Sequence, residues 1–460
     1  MEQKQDFVSG PILSKLIRFA LPILGALILQ AMYGAVDLMV VGQYAGPADV
    51  SGVSTGSQLM MSITGLITGL AMGTTVLLGQ RLGAGRRDEA GDVVGGAVCL
   101  FAVLAAAISV LVVAFARPLC ALMQAPAEAF DATVQYVRVC AGGALFIAAY
   151  NVLGSIFRGL GDSRTPFLSV SIACAANIAG DLLLVAVLHL GSTGAALATV
   201  ASQAVSVLIC LPVIRKKGLP FAFGKSQIRF HPQVIRQTIR IGAPIALQDL
   251  LVSFSFLAIL SIVNGLGLMA SAGVGVAEKL CGFIMLVPSA FMQTLSAFVA
   301  QNVGAGKHDR ARKAMVYGML ISFGIGCCMS AAAFFRGDLL CSWFARDPEV
   351  IANAWDYLKA YAIDTLMVSF YFCFNGFFNG YGETRFVMIQ GMLGAFCVRL
   401  PVSFLMSRIQ PVSLFRIGLA VPLSSVVQIL LCLLYFIRLQ RKMENAQSEV
   451  QNELRKGDGM

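Results

Sequence analysis

The chain has 460 residues, of which 57% are hydrophobic and only 13% charged; soluble domains carry about a quarter charged residues. So few charges cannot cover a water-facing surface, and the composition excludes an ordinary soluble globular protein. The net charge of +10 does not point to nucleic acid, because the basic residues are spread over short loops between apolar runs.

In chain order, apolar runs long enough to span a bilayer fall at roughly 17–42, 51–78, 93–115, 132–156, 167–188, 194–214, 241–264, 272–300, 314–335, 357–378, 386–407 and 417–437, each near the roughly 20 residues a crossing needs. Lipid offers no partner to free backbone groups, so these runs must be helices. The expected fold is an all-α polytopic membrane protein of about twelve spans. The first run is too long for the apolar region of a signal peptide and stays in the membrane. With both termini cytoplasmic, about 25 basic residues face inward and about 5 outward, as the positive-inside rule requires.

The expected organisation is a cytoplasmic segment at 1–16, a first lobe at 17–214, a basic cytoplasmic linker at 215–240, a second lobe at 241–437 and a charged cytoplasmic tail at 438–460. The linker holds no acid, and contact with lipid headgroups is expected there. The two lobes read as a repeat. GQRLGAGRRDEA at 79–90 returns as AQNVGAGKHDRA at 300–311, with six of twelve positions identical. GLGDSRTP at 159–166 and GYGETRFV at 380–387 keep the same offset of 221 residues, and Pro22 and Pro244 nearly so. Six spans per half give both halves one orientation, hence parallel repeats. Arg87 with Asp88 and Arg310 with Asp309 are expected to close ion pairs in the Gly-Ala-Gly loops. None of the twelve cysteines forms a CxxC pair, and no metal site is expected.

A charged side chain at the centre of a span costs about 2.5–3.5 kcal/mol on insertion scales, so each such acid needs a reason. Five are found: Asp37, Asp181, Asp249, Glu278 and Asp364. Gln30, Tyr33 and Asp37 share one face of the first span, and Asn177 and Asp181 share one face of the fifth. Both acids fall in the outer half of their spans at similar depth. Two such carboxyls can share a proton or a cation, and their titrations are then coupled. A second reading of the same residues is a pair of neutral acids that only hydrogen-bond between helices. Arg138 is a potential partner for either acid. In the second half Glu278 and Asp364 lie near the outer ends of their spans, where Lys279 and Arg399 can neutralise them in a structural ion-pair network. Asp249 lies near the inner end, as a gate residue or a hydrated one.

The segments ALPILGALILQAMYGAVDLMVVGQYAG from Ala20, GLAMGTTVLLGQRLGAG from Gly69, FRGLGDSRTP from Phe157, NIAGDLLLV from Asn177, GAALAT from Gly194 and FVAQNVGAGKHDRA from Phe298 together resemble the multidrug and toxic compound extrusion (MATE) family, nearest its DinF-type branch. The resemblance implies a V-shaped bundle of two six-helix lobes. It also implies export of amphipathic, often cationic, organic compounds in exchange for H⁺ or Na⁺. By resemblance Asp37 and Asp181 match the aspartate pair of that branch, with Asn177 and Thr199 as companions. Gln30, Tyr33, Tyr136 and Asn151 are further cavity candidates. Another branch carries a glutamate eight residues after the seventh-span proline, where this chain has Val252. The expectation is therefore a membrane antiporter, not an enzyme, in a bacterial cytoplasmic membrane. No cofactor is expected beyond the coupling ion, and no nucleic-acid partner. Small organic cations and lipids are the partners, and the chain is a monomer. A lipid-linked-sugar flippase is the nearest rival, but it calls for a cationic cavity and this one is acidic and amide-rich.

Overall fold

A computed structural model describes residues 7–221 and 223–457. The first six residues of the expected N-terminal segment and the last three of the expected tail lie outside it. Among the described residues the chain is helical throughout, with no strand.

The first half runs through α1 (Ile12–Tyr44), α2 (Pro47–Gly83), α3 (Arg87–Ala114), α4 (Phe130–Gly142), α5 (Ala144–Gly159), α6 (Arg164–Asp181) and α7 (Gly191–Lys217). The second half follows as α8 (Pro232–Asn264), α9 (Leu268–Ile284), α10 (Leu286–Gly304), α11 (His308–Ser342), α12 (Pro348–Tyr381), α13 (Thr384–Met392), α14 (Leu400–Arg408) and α15 (Ala420–Gly457). Ten segments are long and apolar enough to cross a membrane, and α4 with α5 makes an eleventh, bent by 54°. The bend falls at Gly143, where a Cβ would collide with Val200 of α7. The remaining expected span is α12, a 34-residue helix. It is less apolar because it carries Asp356, Lys359 and Asp364.

Two spans depart from the α-helix. After α6 the chain makes a π-helical stretch at Leu182–Val187, and after α13 another at Leu393–Arg399. Such stretches inside α-helices occur frequently at functional sites. Each adjoins or contains a charged residue of the expected set, Asp181 in one case and Arg399 in the other.

Lipid tails are as apolar as leucine, so helix association relies on close packing and small residues. α2 and α8 show this directly. A Cβ at Gly69 would meet the backbone of Ala246, one at Gly73 the Thr238 carbonyl, and one at Gly242 the Leu70 carbonyl. The backbones touch because there is nothing between them.

The chain forms two compact units. The first comprises Met1–Ser253, Gly282–Ser322 and Asn375–Met388, and the second Phe254–Cys281, Phe323–Phe374 and Ile389–Met460. Within the first unit the repeat is visible atom by atom. Gln80 Nε2 donates to the Gly380 carbonyl at 3.0 Å, and Gln301 Nε2 donates to the Gly159 carbonyl at 2.8 Å. Gly83 lies against the Gln301 carbonyl and Gly304 against the Gln80 carbonyl, in both cases too close to admit a Cβ. Gly85 and Gly306 both take positive φ, as do Gly161 and Gly382, so both sequence motifs end their helices by the same left-handed turn.

The loop pairs differ from expectation. Asp309 pairs with Arg312 at 2.9 Å, and Glu89 rather than Asp88 takes the arginines, at 3.0 Å to Arg81 and 3.6 Å to Arg86. Arg310 is drawn away because its guanidinium donates to the carbonyls of Phe7, Ser9 and Gly10. That holds the N-terminal segment beneath α10, with the Phe7 ring between Phe19 and Phe298 at 4.8 and 4.9 Å. The linker is docked as well. Phe221 is buried, the Gln227 carbonyl presses on Gly95 of α3, and His231 faces Asp92 at 3.5 Å.

Candidate functional site

The polar face of α1 and the polar face of α6 meet in the first unit. Asp37 and Asp181 are 5% and 0% exposed, and their carboxyls face one another directly. Glycine at position 180 lets α6 approach α7, with Ala198 filling the space a side chain would take. The pair therefore sits in a packed wall and not on a lipid-facing surface. Asn177, one turn before Asp181, is 1% exposed. Beyond the contact between the two carboxyls, neither amide atom of Asn177, neither carboxyl oxygen of Asp181 and not Oδ1 of Asp37 has a hydrogen-bond partner. Buried polar atoms are nearly always partnered, because leaving one bare costs the full desolvation penalty. A cluster of five such atoms around two acids has the donors and acceptors to take a proton, a cation or a ligand group.

Two further side chains, Tyr33 and Tyr136, close on this cluster. Tyr33, on the same face of α1, lies beside Asp37 and Gln203. Tyr136 of α4 is buried against Cys140 and faces Asp37. Its ring has room because the α2 residue opposite is Gly56, where a Cβ would be 2.6 Å from the ring. Thr199 of α7 is half-buried, and its carbonyl accepts a bond from Ser202 at 2.8 Å.

Gln30 and Asn151 belong to a second polar belt on the side of the first repeat that carries the Gly-Ala-Gly loop. Gln30 Nε2 donates to the Tyr150 hydroxyl at 2.7 Å, and Asn151 Oδ1 accepts from Thr68 at 2.9 Å. Arg158, two turns further along α5, donates to Ser155 at 2.9 Å and has a buried, unpartnered Nε. Arg138 is exposed and pairs with neither acid.

The second unit holds its own buried charges, and they do not form the expected ion-pair network. Arg399 ends the π-helical stretch after α13, which turns its guanidinium toward α8. There Nη1 donates to Ser255 at 3.2 Å and the group stacks over Phe256 at 4.4 Å. Asp364 is 1% exposed and faces Ser425, with Oδ1 unpartnered. Glu278 is half-buried and Lys279 points outward. No ion pair joins these four residues. The physical reason is that a guanidinium stacked on an aromatic ring and bonded to a hydroxyl is already held. Asp249 lies on an exposed face of α8.

Sequence reasoning passed over Gln203, Tyr150 and Arg158. Thr199 and Gln203 are four residues apart in an apolar span, so the stripe argument that found Asp37 was available for Gln203. Arg158 was hidden by ending the fourth span two residues too early.

Comparison with known proteins places this arrangement. The MatE family profile matches residues 22–183 and again 244–405. The probable multidrug resistance protein YoeA of Bacillus subtilis (strain 168) is 25% identical over 435 residues, covering 93% of this chain and 94% of its own. The multidrug export protein MepA of Staphylococcus aureus (strain NCTC 8325) is 22% identical over 410 residues, with 88% and 90% covered. The crystal structure of a MATE protein in complex with MaL6 superposes with a TM-score of 0.91 at 20% identity, over 96% of this chain and 100% of that one.

Proposed function

Since this chain belongs to the MatE family, a family of multi-pass membrane transporters and not of enzymes, we propose that it is a multidrug exporter. We further propose that it is a secondary antiporter, expelling amphipathic organic cations in exchange for H⁺ or Na⁺. The observation that carries the proposal is the Asp37–Asp181 pair: two buried carboxyls face to face, three of whose four oxygens have no partner beyond each other, beside an Asn177 whose amide atoms have none. Names of relatives such as MepA, a multidrug export protein, support the cargo class. The acidic, tyrosine-lined character of the cluster supports cationic cargo.

In this reading the ion enters from outside and binds at the pair. Binding removes the repulsion between the two carboxylates, lets α1 repack against α6, and releases cargo outward. Tyr33 and Tyr136 offer aromatic faces to a cation and hydroxyls to the acids. One charge crossing 100 mV gains about 2.3 kcal/mol, enough to drive useful accumulation. The lobes at 17–214 and 241–437 alternate access about the linker. Both termini are cytoplasmic, the chain works as a monomer, and its place is a bacterial cytoplasmic membrane.

The test is efflux of a fluorescent organic cation from proteoliposomes under an imposed pH gradient, for wild type and Asp37→Asn. Export by wild type and none by the variant is the expected result. Equal export by both removes the pair from the mechanism. Export that needs sodium and ignores the pH gradient identifies Na⁺ as the coupling ion at the same site.

A further inference from the structure

A cavity of about 440 Å³ opens in the first unit where α2, α8 and α10 come together beside the first Gly-Ala-Gly loop. Its lining includes Leu77, Arg81, Arg86, Gln237 and Arg240. Glu89 on the rim pairs with Arg81 at 3.0 Å and Arg86 at 3.6 Å, and Arg81 also donates to Gln237 at 3.0 Å. Arg240 has no ion pair among the described residues. Three arginines thus line the cavity, and two of them share one carboxylate.

The internal repeat shows what this cavity is. The offset is 222 residues at the start of each half and 221 in the Gly-Ala-Gly motifs, so Ile241 corresponds to Phe19, Leu77 to Phe298, and Arg81 to Asn302. Phe19, Phe298 and Asn302 form the socket that holds Phe7: two rings clasp its ring, and Asn302 donates to its carbonyl at 3.2 Å. The cavity is therefore the twin of the Phe7 socket. In the first copy the chain's own N-terminal segment fills the space. In the second copy the corresponding residue is Arg229, which stays exposed because the linker turns aside to lie with its Gln227 carbonyl on Gly95. The socket is left open, with Ile241 and Leu77 where the first copy has two rings and Arg81 where it has Asn302.

We propose that this second socket is a binding site for a phosphate-bearing anion, of the kind an anionic membrane lipid presents in its headgroup. Guanidinium groups match phosphate by paired, charge-assisted hydrogen bonds, and basic pockets between membrane helices at the interface are suited to lipid headgroups. The apolar floor at Leu77 and Ile241 continues into the helices and suits the glyceride end of such a lipid. The site is distinct from the aspartate cluster and does not depend on which cargo is exported.

The experiment uses the full chain in mild detergent at fixed ionic strength, with its melting temperature followed during titration. The probes are dihexanoyl phosphatidylglycerol, dihexanoyl phosphatidylcholine and inorganic phosphate. Phosphatidylglycerol should raise the melting temperature saturably. Arg240→Gln should raise the midpoint concentration about tenfold, the loss expected for one charge-assisted contact. Arg236→Gln, one turn away and outside the cavity, should leave the midpoint unchanged. Arg81→Asn, which supplies the residue of the twin socket, should likewise raise the midpoint, and it carries the test if the glutamine variant does not fold. An Arg240-dependent response to inorganic phosphate as well shows that the phosphate alone is recognised. A response confined to phosphatidylglycerol shows that the lipid is the occupant. Equal responses to phosphatidylcholine and phosphatidylglycerol, an unchanged midpoint in Arg240→Gln, or no response at all would overturn the proposal.

Discussion

At Asp181 the protein keeps a fully buried carboxyl whose oxygens meet no partner but the Asp37 carboxyl. A residue kept only for stability would not be chosen this way, because replacing it by a neutral isostere removes a desolvation penalty. The prediction is that Asp181→Asn melts no lower than wild type while gradient-driven efflux falls by more than about tenfold, as befits an intramembrane acid kept for function. A variant that melts lower and exports normally would reverse that assignment. Arg399 makes a different case. It stacks over Phe256 and bonds Ser255, so what it contributes is planar contact as well as charge. Arg399→Lys keeps the charge but not the flat face. It should lower stability by about 1–2 kcal/mol, the scale of a desolvated cation–π contact, measurable as a shift in thermal unfolding in detergent. The aspartate pair was legible in sequence because two polar stripes at helical spacing stand out in apolar spans. The surroundings of Arg399 were not, because the π-helical stretch before it rotates the side chain away from where a regular helix would aim it.

At the level of helices, glycine decides which faces meet. Gly83 and Gly304 each press on a carbonyl of the other repeat, whereas Gly34 and Gly324 have open space around them. Alanine at Gly34 or Gly324 should be neutral or stabilising, since it favours the helix by up to about 1 kcal/mol. Alanine at Gly83 or Gly304 should cost about 1–3 kcal/mol, as overpacking does. Thermal melts of the four variants would separate the two classes, and equal effects at all four would show that the contacts do not hold the helices together. Which spans exist could be read from hydropathy; the helix Pro348–Tyr381 is the least apolar of them, since it carries the buried Asp364 and the partly exposed Asp356 and Lys359. Where spans bend could not be read. The 54° break between α4 and α5 depends on Gly143 meeting Val200, a contact 57 residues apart in the chain that no local pattern announces.

Across the whole molecule, the repeat was the most legible feature and also the one whose meaning needed coordinates. Two motifs at a common offset announced a duplication, but not that the copies would grip one another by those same motifs. Nor did sequence foretell that Phe7 would be clasped between Phe19 and Phe298, since one aromatic residue in a short polar segment carries no periodicity. Phe7 is fully buried, and Phe7→Ala should cost about 3–5 kcal/mol, as emptying an aromatic site does. The effect should appear as a lower unfolding temperature. An unchanged melt would mean that the N-terminal segment is not anchored there.

The crossed bonds Gln80–Gly380 and Gln301–Gly159 have the form of an isologous contact: residue i of one copy touches residue j of the other, and j touches i. That is the signature of a two-fold homodimer, here written into one polypeptide. Such an interface needs no covalent tether to find its register. Two separately translated halves, divided near Gly218, should recognise each other and co-purify. The gene fusion would then be seen as fixing stoichiometry and allowing the copies to diverge, one socket kept for an internal phenylalanine and the other released for a different guest.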